Sequence, residues 1–65
     1  MSAEEPHAVF FEFTVIGSAV KVVAIDAATG TEVSVVGPAG AAQADLEQLA
    51  LGKLRARLAR EASKP

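Results

Sequence analysis

Cysteine is absent from the 65 residues, and histidine occurs once, at His7. The first absence excludes disulfides and thiolate zinc sites. The second leaves one imidazole, in a polar terminal stretch where an isolated His is solvated rather than catalytic. Positive charge is not in excess either: 6 basic side chains face 8 acidic ones, a net charge of −2. A domain that grips nucleic acid by its phosphates normally carries a positive surplus. No apolar run approaches the roughly 18 residues that span a bilayer. The opening MSAEEPHA is acidic and lacks the cationic region of a signal peptide. From these absences we expect a cytoplasmic protein, outside the membrane, with no metal and no cofactor.

A chain of this length is one domain, and it buries only about 60% of its unfolded surface on folding. Small scaffolds usually add disulfides, a metal or a partner chain. With the first two excluded, self-association or an economical core must supply the stability.

What is present is a dense run of β-patterned sequence, Val9 to Val36, reading VFFEFTVIGSAVKVVAIDAATGTEVSVV. Met1 to Ala8 reads as a polar tail. Val9 to Ile16 alternates with period 2, placing Phe11, Phe13 and Val15 on one face and Phe10, Glu12, Thr14 and Ile16 on the other. Gly17-Ser18 is a two-residue hairpin signal, and Gly in first position suits a type II′ turn. Counting outward pairs Ile16 with Ala19, Phe13 with Val22 and Phe11 with Ala24. Asp26 to Thr31 is a second turn, with Gly30 in the left-handed closing position and Asp26 accepting from the loop amides. It pairs Asp26 with Thr31, Ala24 with Val33 and Val22 with Val35. Both turns, assigned independently, put the same apolar residues on one face.

Gly37-Pro38-Ala39-Gly40 is expected to end the sheet. Ala41 to Ala62 reads as a helix, with Gly40 as N-cap and Gln43 completing a weak capping box. Asp45 and Glu47 near its start and Arg55, Arg57 and Arg60 near its end complement the helix dipole. Leu49, Leu46, Ala50, Leu54, Leu58 and Leu51 span an arc of roughly 200°, wider than the stripe of about 100° that one sheet contact needs. Leu51 and Leu58, at one margin, are candidates for a second contact. Gly52 either marks a close backbone approach or is merely tolerated. Ser63 to Pro65 is tail.

The predicted fold is α+β: a three-stranded antiparallel β-meander followed by one C-terminal helix packed on one face (βββα). Its expected core is Phe11, Phe13, Val15, Val20, Val22, Ala24, Val33 and Val35 against Leu46, Leu49, Ala50 and Leu54. Truncating Phe13 to Ala is expected to cost about 3–5 kcal/mol, comparable to the whole stability of such a core, and to leave the free monomer largely unfolded.

One helix covers one face. The other carries Phe10, Ile16, Val23, Ile25 and Val36 among Glu12, Thr14, Lys21, Glu32 and Ser34. With Leu51 and Leu58, those five apolar residues are the candidate partner interface, for a homodimer or an unidentified protein. No catalytic site is expected: no nucleophile has a base beside it, and two strand glutamates serve solubility. ATGT lacks the lysine and spacing of a phosphate loop. GPAG before a helix would suit an anion, but Asp45 and Glu47 follow it.

The order strand-strand-strand-helix, with an Ala/Leu-rich final helix after a Gly-containing turn, resembles the C-terminal part of a double-stranded-RNA-binding domain. The likeness is one of topology; the basic residues Lys53, Arg55, Arg57, Arg60 and Lys64 read by themselves as a solvated, dipole-matched helix end or, in the second reading, as an RNA or partner contact through Arg55, Arg57 and Arg60. The lysines that open the last helix of that family are replaced here by Gln43, Asp45 and Glu47, so nucleic acid is the second reading and not the first. FFEFTVIG, VKVVAIDAATGTEVSVVGP and DLEQLALGKL are similar to a small bacterial family of uncharacterised proteins. Some of its members carry a serine-hydroxymethyltransferase label. A pyridoxal-phosphate enzyme needs a Schiff-base lysine in a deep pocket, which a meander of this size cannot build. The resemblance brings no functional residues with it.

Overall fold

The computed structural model describes residues 8–63, so His7, Lys64 and most of both predicted tails lie outside the described residues. Three strands, β1 (Val9–Ile16), β2 (Ala19–Asp26) and β3 (Glu32–Pro38), form one antiparallel sheet in the order β1-β2-β3. A single helix, α1 (Gln43–Ala62), follows and packs on one face.

The two turns set every register. Gly17 has φ 61°, and among the described residues no non-glycine has positive φ. A positive first position and a negative second is the type II′ pattern. It fixes Ile16 opposite Ala19, Phe13 opposite Val22 and Val9 opposite Asp26. Gly30, at φ 78°, closes the second turn, where its amide donates to the Asp26 carbonyl at 2.7 Å. Ala24 then stands opposite Val33, and Val22 opposite Val35, as expected. Ala8 belongs to the ladder and not to the tail, since its carbonyl accepts the Ala27 amide at 3.0 Å.

The sheet runs further than expected. Gly37 and Pro38 are paired, with Val20 and Ala19, and the Ala39 amide still donates to the Ser18 carbonyl at 2.9 Å. Pro38 is tolerated because antiparallel positions alternate. The Asp26–Thr31 bond makes Val20 and Gly37 a hydrogen-bonding pair, so the nitrogen of Pro38 faces the free edge. The longer strand delays the helix. Its N-cap is Ala42, not Gly40, and no side chain caps it, so the expected capping box does not form. At the other end Ser63 closes α1, its hydroxyl donating to the Arg60 carbonyl at 3.1 Å.

The core is narrower than expected. Val22, Ala24 and Val33 are buried against Leu46, Ala50 and Leu54, with Phe11, Val20, Val35 and Leu58 packed around them. Val15 is 70% exposed, Leu49 62% and Phe13 37%, so these three leave the predicted core. The cause is the lateral position of α1, which lies over β2 and β3. Only a short link joins β3 to α1, and the helix packs mainly on β3 and β2, meeting β1 only toward its Val9 and Phe11 end. Gly37 admits it: a Cβ there would stand 2.5 Å from Leu46 Cδ2. Lys53 then reaches round the outside of β3, where Nζ donates to the Ser34 carbonyl at 2.7 Å.

Candidate protein-interaction surface

The outer face of the sheet can be read row by row from the register. Phe10, Ile25 and Glu32 form one row; Glu12, Val23 and Ser34 the next; then Thr14, Lys21 and Val36; then Ile16, Ala19 and Pro38. The apolar residues expected at an interface are therefore divided. Phe10 and Ile25 lie at one end, Ile16 and Val36 at the other, and Val23 alone connects them. Glu12, Thr14 and Lys21 interrupt the face on its β1 side. Phe10, Ile16 and Val36 are exposed, whereas Val23 and Ile25, in the central strand, are half-buried.

The inner face holds apolar surface that sequence reasoning had assigned to the core. α1 leaves Phe13 and Val15 uncovered, and beside them lies a cavity of about 160 Å³. Phe13, Val15 and Val20 form its sheet side, and Ala41, just before α1, with Gln43 and Leu46 in its first turns, forms the helix side. Gln43 is the one polar side chain among these six. Leu51 and Leu58 are half-buried. At 100° per residue they project about 160° and about 140° away from Lys53. Since Lys53 wraps β3, these two leucines lean toward the β1 side of α1.

Asp26 is fully buried. Its Oδ2 accepts the Thr29 amide at 3.0 Å and the Thr29 hydroxyl at 2.7 Å. Alternation toward the inner face was the signal for this burial, because Asp26 continues the Val22-Ala24 series under the end of α1. The Thr31 hydroxyl donates to Glu61 Oε1 at 3.3 Å, tying the same turn to the helix. These bonds hold the second hairpin and tie it to the end of α1.

The arginines do not form a stripe. Arg55 and Arg60 project about 140° apart on the helix, and Arg57 is half-buried. No cluster of His, Cys, Asp and Glu that could hold a metal ion occurs among the described residues. Glu12 and Glu32 occupy strands separated by β2, too far apart to act as a carboxylate pair. Among the described residues no helix is long and apolar enough to cross a membrane.

The chain matches the family described as Domain of unknown function (DUF6898) over residues 6–61, and it belongs to that family. No curated protein and no solved structure matches it.

Proposed function

We propose, from a family membership that brings no activity with it, that the domain is a small interaction module that associates with a second copy of itself. The contact uses sheet surface that α1 leaves uncovered. The observation that carries this reading is the state of β1. Apolar side chains stand uncovered on both of its faces at once, Phe10 and Ile16 outside and Phe13 and Val15 inside. A solvated strand ordinarily alternates to polar residues on the side facing water. An edge strand that is apolar on both sides invites association unless something covers it. A chain this short gains from a partner the core that it cannot build alone. In this reading the domain is not an enzyme, and its chemistry is that of contact.

Sedimentation equilibrium of the full chain at tens of micromolar tests it. Twice the single-chain mass is the expected result. A mass of 6.7 kDa, that of one chain, overturns it.

A further inference from the structure

Resting on that reading, we infer that the seam between the two copies is the β1 edge, paired antiparallel about Phe13, so that two meanders fuse into one six-stranded sheet. The hydrogen-bonding pattern shows which edge is open. The Ala27 amide bonds the Ala8 carbonyl, so Phe10, Glu12, Thr14 and Ile16 direct their main-chain groups at β2. Val9, Phe11, Phe13 and Val15 direct theirs outward, along the whole free edge of the strand. The β3 edge is different. Its outward positions are Glu32, Ser34, Val36 and Pro38; Pro38 has no amide to offer, and Lys53 occupies the Ser34 carbonyl. Proline and lysine are the usual devices for closing an edge to pairing, and both stand on β3. Neither stands on β1.

The second copy is the occupant because β1 is complementary to itself in one register. A two-fold antiparallel pair must bring outward-facing residues opposite outward-facing residues. Only two such registers keep all but one residue of the strand in overlap. In the first, Glu12 faces Glu12 of the second copy at a close, non-hydrogen-bonded position, and like charges directly opposite are unfavourable. It also sets Phe10 against Thr14. In the second, Phe13 faces Phe13 on the two-fold axis, Phe11 faces Val15, Phe10 faces Ile16, and Glu12 faces Thr14. Every exposed apolar side chain of β1 then meets an apolar partner, on both faces of the sheet. The two-fold axis is perpendicular to the sheet, so both helices lie on the same side. The cavity beside Phe13 and Val15 has about the volume that holds one aromatic ring, and this register brings Phe11 of the second copy alongside Val15.

The chain has no Cys, so introduced thiols can link only to each other. Glu12→Cys and Thr14→Cys, both at exposed positions, are prepared separately, mixed, oxidised and resolved by mass. Opposite residues at a non-hydrogen-bonded position have Cα atoms about 4.5 Å apart, within disulfide reach. Two Glu12 positions, or two Thr14 positions, would lie about 8 Å apart in this register, beyond that reach. The mixture is expected to give a covalent dimer of one variant with the other, and each variant alone to stay unlinked. If Glu12→Cys links to itself, the register about Phe13 is wrong. A chain that sediments as a dimer but gives no link between the two variants pairs by another surface, which overturns the seam and leaves self-association standing. A monomeric mass overturns both.

Discussion

Lys53 on α1 donates from Nζ to the main-chain carbonyl of Ser34 on β3, at 2.7 Å and across the outer edge of that strand. The bond is exposed, so its removal acts less on stability than on edge chemistry. Lys53→Ala is expected to lower the unfolding free energy by about 1 kcal/mol or less. It also uncovers a carbonyl on the edge that Pro38 only partly closes. Sedimentation velocity should show species larger than those of the parent, growing with concentration. Unchanged association would show that the bond does not guard β3.

Gly37 and Gly52 are both glycines in regular elements, and they should respond in opposite directions. A Cβ at Gly37 would meet Leu46 Cδ2 at 2.5 Å, and Leu46 is buried; at Gly52 nothing lies within 4 Å. Gly37→Ala is expected to destabilise by about 1–3 kcal/mol, as overpacking does. Gly52→Ala is expected to stabilise by up to about 1 kcal/mol, the helix propensity difference. Urea titration of both variants decides. Stabilisation by Gly37→Ala would mean that Leu46 yields without loss.

Much of this fold was legible in the residues. Gly17-Ser18 and Asp26 to Thr31 are turns whose chemistry dictates loop length, and loop length dictates register, so the register of both hairpins followed by counting, although the pairing of Gly37 and Pro38 beyond the expected end of β3 did not. The sideways position of α1 did not follow. A leucine arc of roughly 200° is compatible with several placements on a sheet, and periodicity alone cannot choose among them. The choice depends on contacts between distant residues: room at Gly37 for Leu46, and the reach of Lys53 to Ser34. Phe13, Val15 and Leu49 were placed in the core because they share its face, although sharing a face does not guarantee cover. The candidate site was legible by half for the same reason. Phe10 and Ile16 were recognisable by alternation, whereas the inner-face exposure of Phe13 and Val15 depends on where the helix lies.

Asp26 is the one charged side chain fully buried among the described residues. Its carboxylate holds the Thr29 amide and hydroxyl, so Asp26→Ala removes the acceptor from both donors. Each hydrogen bond contributes about 1 kcal/mol net. Loss of about 2 kcal/mol is expected, together with faster amide exchange at Thr29 and Gly30. A variant as stable as the parent would show that the turn is held by its main chain alone.

Duplex RNA offers a test of the basic helix end. Arg55, Arg57 and Arg60 do not share a face, and the first turn of α1 carries Asp45 where an RNA-binding helix would present lysine. Phosphate contacts strengthen as salt falls, so a gel shift at about 50 mM salt is a sensitive assay. No retardation is expected. Retardation that Arg55→Ala or Arg60→Ala abolishes would reinstate the RNA reading.

Phe13 is the larger side chain, but Leu54 should matter more to the single chain. Leu54, on α1, is fully buried against the sheet, whereas Phe13 is 37% exposed. Leu→Ala in a closed core costs about 2–5 kcal/mol, because the deletion adds a cavity to the lost transfer energy. More than a third of Phe13 already faces water, and the gap left behind opens onto the neighbouring cavity, so about 2 kcal/mol is expected. A small domain supplies only about 3–5 kcal/mol in all. Leu54→Ala should therefore be largely unfolded, while Phe13→Ala should melt cooperatively at a lower temperature than the parent. Thermal unfolding followed by circular dichroism, at a concentration low enough for single chains, gives the order directly. If Phe13→Ala proves the more damaging, the helix covers β1 in solution, and the open inner face described above does not exist.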